Sequence, residues 1–323
     1  MFCCNRYILF ILVFVLMIFS SAKISLSTDN IEFVNSKLRF FQPVIQKLLK
    51  NGIDSAFIFK IIEDERSQFD EKFVKINVTG YLKKADYSHN YNNNSITKSK
   101  KFIEDNLELL NRAEAKYGVP KEVISSILWV ETKHGSYLGN NQIISVYLST
   151  AMCDYPDYVL INKEELRKNF NGSPEELQDL ETKIDERSAK KANWAIEQLI
   201  ALKKMDKLPY MNILELKGSW AGAFGLSQFL PASYISWAVD GNDDGKIDLF
   251  SLEDAVFSVA NYLKTNGWGN TKDLERKAVF HYNNSNAYVD AVLRLAQKSK
   301  LVEEFDTLSI EPIPTLNQQL KLN

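Results

Sequence analysis

Apolar residues recur at helical spacing along most of the chain, and the interruptions divide it into segments. From Leu38 to Glu65, Val44, Leu48, Leu49, Phe57, Ile58 and Ile61 predict two packing helices either side of Asn51-Gly52. Between Phe69 and Leu82 the pattern shortens to Phe73, Ile76, Val78 and Tyr81, which reads as extended chain, and Asn90 to Ser95 reads as a flexible polar loop. Lys101 to Lys116 is amphipathic, with Leu107, Leu110 and Ala113 inward, and leads through Tyr117-Gly118-Val119-Pro120 into a second helix, giving an αα-hairpin. Residues 163–191 are densely charged and carry a clean helix start at Ser173-Pro174-Glu175-Glu176, which predicts a solvated helical excursion. Trp194 to Met205 is again amphipathic, and Gly218 to Ala223 is a small-residue turn that lets a ligand approach the backbone.

The second helix of the hairpin contains the position that points to chemistry. Pro120 suits its first position and Gly135 its stop. Glu131 follows Ile127 by four residues, Ile124 by seven and Val123 by eight, so it projects from the face that enters the core. Partial desolvation disfavours the charged form of such a carboxyl and raises its pKa, as a general acid near neutral pH requires. The competing reading is a glutamate that reaches out to water at the helix end. His134, nearby, reads as a surface residue.

Composition narrows the function classes. With 323 residues and 45% hydrophobic content the chain buries a large core in two or three lobes, and a formal net charge of -2 gives no global field for nucleic acid or an anionic membrane. Arg6 precedes an apolar run from Tyr7 to Phe19 and then Ser20-Ser21-Ala22, which reads as a signal peptide over residues 1–22. Cys3 and Cys4 precede that run, so no lipid-carrying cysteine follows it, and an exported, soluble, periplasmic protein without a stable membrane anchor is expected. Removal of the leader leaves Cys153, a buried small apolar residue by this reading.

Asp240-Gly241-Asn242-Asp243-Asp244-Gly245-Lys246-Ile247-Asp248 fits the start of an EF-hand: oxygens at positions 1, 3 and 5, glycine at 6, a backbone carbonyl at 7. Helical patterns flank it, Ala232 to Trp237 and Leu252 to Lys264. Position 12 is Ser251 rather than a bidentate glutamate, so Asp254 or Glu253 must close the site. A single loop of this kind reads as a static brace holding structural Ca2+ or Na+.

Six segments taken together resemble the lytic murein transglycosylase B family over about Leu38 to Lys298. They are Tyr117 to Pro120, Val130 to Gly135, Gly218 to Pro231, the metal loop, Ser258 to Leu263, and Tyr282-Asn283-Asn284-Ser285. The resemblance implies a mainly α (α+β) fold, with a lysozyme-like core carrying the EF-hand-like loop (101–154 and 216–298, the loop at 240–254). It also implies a helical lobe (38–66 and 155–215) and a small β lobe (67–100 and 299–316). It further implies cleavage of the MurNAc-GlcNAc bond of peptidoglycan glycan strands without water, leaving 1,6-anhydromuramoyl ends, by a monomer that needs no catalytic cofactor.

Glu131 falls on that family's catalytic carboxylate, acting first as acid and then as base. Ser219, Gln228 and Phe229 match residues beside the acid, and Tyr262, Tyr282, Asn283 and Tyr288 match the opposite wall of the cleft. Asp240, Asn242, Asp244, the Lys246 carbonyl and Asp254 match the ion ligands. Lys190 and Lys191 stand where the family has two arginines; lysine keeps the charge but loses the bidentate fork, and residues 157–189 read as an insertion. Two alternatives stay open. One is a muramidase using Asp154 or Asp157 to aim water, and the other a non-catalytic wall-binding scaffold.

Overall fold

A computed structural model describes residues 28–80 and 86–301. In chain order the helices are α1 (Thr28–Phe40), α2 (Gln42–Lys50), α3 (Ser55–Glu63), α4 (Glu71–Thr79), α5 (Asn93–Asp105), α6 (Leu107–Tyr117), α7 (Lys121–Thr132), α8 (Ile143–Thr150), α9 (Pro156–Asn169), α10 (Pro174–Met205), α11 (Pro231–Trp237), α12 (Leu252–Thr265), α13 (Lys272–Tyr282) and α14 (Asn286–Lys298). Two short strands, β1 (Asn141–Gln142) and β2 (Lys217–Gly218), pair antiparallel. The expected mainly α class holds. The chain divides into two compact units, one of residues 1–84, 138–224 and 228–236, the other of 85–137, 225–227 and 237–323.

In the first unit every residue of α8 is buried, and α10 and α4 pack against it. The extended reading of Phe69 to Leu82 is corrected here, because Glu71–Thr79 is α-helix. β-branched residues suggested a strand, but Phe73, Val74, Asn77 and Val78 fall at helical spacing and share one buried face. Val74 and Val78 pack with Cys153, Ile184 and Ala192, and that tertiary burial outweighs local propensity. Asp70 caps the helix start by accepting from the Lys72 N–H at 2.9 Å. At its other end the Arg187 Nε donates to the Val78 carbonyl at 2.9 Å, satisfying a group the helix leaves unpaired. The charged excursion therefore supports the core as well as meeting solvent. It forms α9 and α10, and the capping box at Ser173 and Glu176 is present as expected.

In the second unit α7 is surrounded. Every residue from Glu122 to Trp129 is buried, and α14, α5, α12 and α6 pack on it. Its apolar residues, Val123, Ile124, Ile127, Leu128 and Trp129, face more than one side, which places the helix in a core. The polar stretch from Asn90 is not a loop: Ser88–Tyr91 is a 3₁₀ turn, and Asn92 caps α5 by accepting from the Ser95 N–H at 2.9 Å. The amphipathic run over 101–116 breaks at Asn106 into the end of α5 and α6. Residues 67–100 thus contribute helix, not strand, where they are described. The leader, and residues 302–316 of the expected β lobe, lie outside the described residues. No described helix is long and apolar enough to cross a membrane.

Gly218 anchors the turn that follows β2. A Cβ there would collide with the Ala223 carbonyl oxygen, and the Ser219 N–H to Ala223 carbonyl bond of 2.8 Å holds the two strands of the turn together. Gly218→Ala is expected to destabilise the first unit by about 2–4 kcal/mol, because backbone must shift to admit it. Urea denaturation measures this, and a loss within experimental error of zero contradicts it.

Candidate active site

Glu131 lies in the last turn of α7, one position before its end. Its carboxyl accepts a hydrogen bond from the Tyr288 hydroxyl at 2.6 Å. Tyr288 is fully buried near the start of α14, which Ser285 caps through the Tyr288 N–H. Burial pushes the Glu131 carboxyl up to about 7, against the opposing pull of the Tyr288 hydroxyl and the Lys133 ammonium. A group balanced there releases and recovers a proton near neutrality, as general acid–base chemistry requires.

The aromatic residues expected beside the acid form a connected row. Tyr282 stacks on Tyr288 with centroids 6.4 Å apart, Tyr262 meets Tyr282 edge-on at 4.8 Å, and Trp237 meets Tyr262 at 4.6 Å. Each hydroxyl has a fixed partner: Tyr282 donates to the Ser227 carbonyl at 2.5 Å and Tyr262 to the His281 carbonyl at 2.8 Å. Asn283 hydrogen-bonds Tyr87, whose ring packs edge-on against Tyr288 at 5.6 Å. Glu131, Tyr262, Tyr282, Asn283 and Tyr288 therefore share one unit.

The other expected substrate residues belong to the first unit. The Ser219 Oγ accepts from the Ala223 N–H at 3.2 Å. Gln228 holds a left-handed backbone at φ 49°, and its amide donates to the Leu138 carbonyl at 3.3 Å. Phe229 is buried and exchanges backbone hydrogen bonds with Phe224. On α10, Lys190 is exposed, while the Lys191 ammonium stands 4.4 Å from the centre of the Trp194 ring. Asp154, the nearer candidate for a second carboxylate, is bound by the Lys47 ammonium at 2.5 Å.

The metal loop is folded by its own oxygens. Asp240 accepts from the Gly245 N–H at 2.8 Å, Asn242 from Asp244 at 3.1 Å and Asp244 from Lys246 at 2.8 Å. Asp254 is buried and accepts from the Gly241 and Asp248 N–H groups at 2.7 and 2.6 Å, so it closes the loop from α12 while Glu253 accepts from Ser251. Burial, and the charges of Asp240 and Asp244, push the Asp254 carboxyl up. The donor set is the hard oxygen chemistry that calcium takes, so the residues fit that class of ion. Among the described residues, however, no three His, Cys, Asp or Glu side chains are gathered as a ready ligand cluster.

With this geometry, comparison with known proteins becomes informative. Residues 37–281 match the family described as the transglycosylase SLT domain. The chain belongs to the transglycosylase SLT family. It is 37% identical over 161 residues to the membrane-bound lytic murein transglycosylase B of Escherichia coli (strain K12); the match takes in 50% of this chain and 35% of that protein. The fold is similar to the soluble lytic transglycosylase SltB1 of Pseudomonas aeruginosa (TM-score 0.60, 21% identity, 81% of this chain and 98% of that one). It is also similar to SltB3 of the same organism in complex with NAG-anhNAM-pentapeptide (TM-score 0.59, 20% identity, 81% and 78%). The third is the Escherichia coli lytic transglycosylase Slt35 in complex with calcium (TM-score 0.55, 20% identity, 86% and 94%).

Within this SLT domain, two residues that act near Glu131, Tyr87 and Lys133, escaped the sequence reading. Tyr87 shares a polar stretch with Tyr91, and no run of apolar neighbours marks it. Lys133 lies two positions past the acid, where side chains ordinarily diverge. The surface reading of His134 is corrected: its ring stacks on Phe102 at 3.8 Å and its Nε2 lies 3.2 Å from the Ser125 hydroxyl. Burial pushes its pKa down to about 4, so it is neutral near pH 7.

Glu131 binds its proton more tightly folded than unfolded. The folded state is therefore penalised as pH rises from the ordinary glutamate value of 4.5 towards about 7, and the penalty is complete above that. Glu131→Gln keeps an acceptor for Tyr288. It is expected to match wild type in stability at about pH 4 and exceed it by roughly 1–3 kcal/mol at about pH 8. Denaturation at both pH values checks this, and a difference that does not change with pH contradicts it.

Proposed function

We propose that this protein is a lytic transglycosylase that cleaves the MurNAc-GlcNAc β-1,4 bond of peptidoglycan, with Glu131 as acid and then base. The observation that carries the reading is a single carboxyl at the end of the buried helix α7, met by the Tyr288 hydroxyl at 2.6 Å, where burial pushes its pKa up to about 7. Protonated Glu131 gives its proton to the glycosidic oxygen as the C1–O bond breaks and the GlcNAc alcohol leaves. The resulting carboxylate takes the proton of the muramoyl 6-hydroxyl as that oxygen bonds to C1 of the same sugar, and Glu131 ends as it began. The intramolecular hydroxyl supplies the nucleophile, so no second carboxylate is needed to activate water. The groups that act on the Glu131 proton are Tyr288 and Lys133, not another acid, and this favours transglycosylation over a paired-carboxylate hydrolase.

Tyr282, Asn283, Ser219 and Gln228 are assigned as sugar contacts, with buried Tyr262 and Tyr288 supporting the first pair and buried Phe229 the second, and Lys190 and Lys191 as contacts to substrate carboxylates. The SltB3 relative in complex with an anhydromuramoyl pentapeptide fragment supports the substrate class. Asp240, Asn242, Asp244, the Lys246 carbonyl and Asp254 would hold a calcium ion, supported by the calcium complex of Slt35. Such an ion braces the loop and takes no part in bond cleavage. The apolar leader at residues 7–19 supports export to the periplasm.

Mass spectrometry of peptidoglycan digested by the purified protein tests bond and reaction together. Anhydromuramoyl ends are expected, with turnover lowered about 10²–10⁴-fold by Glu131→Gln. Reducing muramic ends identify a hydrolase, and no products with retained binding identify a scaffold. For the ion, chelation is expected to lower the melting temperature by several degrees in the wild type and less in Asp240→Asn; an unchanged melting temperature contradicts the assignment.

A further inference from the structure

The backbone that leaves the acid is strained. Lys133 and His134 are consecutive non-glycine residues in the left-handed region, at φ 53° and 55°, each costing about 1–2 kcal/mol. Surrounding contacts hold them there. The Lys133 N–H donates to the Trp129 carbonyl at 2.9 Å and the His134 N–H to Leu128 at 3.1 Å. The His134 ring is clamped between Phe102 and Ser125. Lysine at an exposed helix end would send its ammonium into water. Here the side chain folds back: Nζ donates to the side-chain oxygen of buried Asn90 and to the Trp129 carbonyl at 3.3 Å, and lies 4.8 Å from the centre of the Trp129 ring.

We infer that Lys133 is a positioning residue for the reaction, its tethered ammonium supplying a fixed positive charge to the carboxylate that Glu131 becomes between its two proton transfers. The inference rests on the transglycosylation reading. Asn90, which tethers the ammonium, lies three residues after Tyr87, whose ring packs at 5.6 Å on Tyr288, the residue whose hydroxyl meets Glu131. Among the described residues Lys133 makes no ion pair, and Glu131 is the carboxyl that acts on its charge while burial opposes it. With Glu131 protonated the ammonium lacks a counter-charge; an ionised Glu131 supplies one from beyond direct ion-pair contact. The arrangement therefore favours the ionised form reached midway and lowers the barrier of the proton donation that produces it.

The other groups around the pair do not supply this charge. Tyr288 on α14, Tyr282 on α13 and Tyr87 are phenols whose ionisation burial pushes up. His134 is neutral near pH 7, and Lys98 of α5 stands 5.9 Å from the Trp129 ring.

The test is kcat against pH on purified peptidoglycan for the wild type, K133M, K133R and N90A, with melting temperatures alongside. K133M is expected to lose about tenfold in kcat and to move the alkaline limb to higher pH, because Glu131 then keeps its proton longer. K133R is expected to restore both, and N90A, which unties the ammonium but leaves it present, to fall between. An unmoved limb in K133M overturns the inference, as does K133R failing as badly as K133M. If K133M does not fold, N90A decides alone, and wild-type behaviour there overturns the inference. Anhydro ends from the wild type with an unmoved limb sink this inference only; their absence from the wild type sinks the transglycosylase reading itself.

Discussion

A carboxyl group partly withdrawn from water and given one hydroxyl donor is the constraint around which this chain is arranged. Burial alone would keep Glu131 protonated and make it an acid without a return path. The Tyr288 hydroxyl at 2.6 Å and the Lys133 ammonium oppose burial, and the balance places the group at about 7. Neither influence suffices without the other, since an exposed glutamate would be ionised at neutral pH and an unassisted buried one would stay neutral.

The second unit supplies this environment through one helix. α7 is enclosed on all sides, and the helices that enclose it bring the tyrosines with them. Tyr288 comes from α14 and Tyr282 from the end of α13, and their ring stacking fixes the hydroxyl that meets the acid. The left-handed exit after Thr132 is the cost of turning the chain within two residues of the acid, and the His134 and Lys133 side chains hold it in place. Stability and chemistry thus draw on the same packing.

Much of this was legible in the sequence, and the exceptions have physical reasons. Glu131 stood out because a carboxylate on an apolar helical face is rare, and the capping box at Ser173 because its residues are the mechanism of the cap. α4 was misread because Phe73, Ile76 and Val78 are good strand formers, whereas contacts with Ile184 and Ala192, over a hundred positions later, decide the outcome. Asn92 looked like part of a loop because a cap and a loop use the same polar residues. Lys133 was missed and His134 misread as a surface residue because left-handed backbone at non-glycine residues leaves no periodic signal, so the direction of their side chains is set by tertiary contacts.

The direct measurement is the titration of the Glu131 carboxyl itself, by carbon NMR of protein labelled at glutamate side chains and assigned by the signal lost in Glu131→Gln. The account predicts a midpoint near 7, well above the ordinary value of 4.5. A midpoint in the ordinary glutamate range would mean that the carboxyl is solvated, and would contradict the claim that it serves as both acid and base.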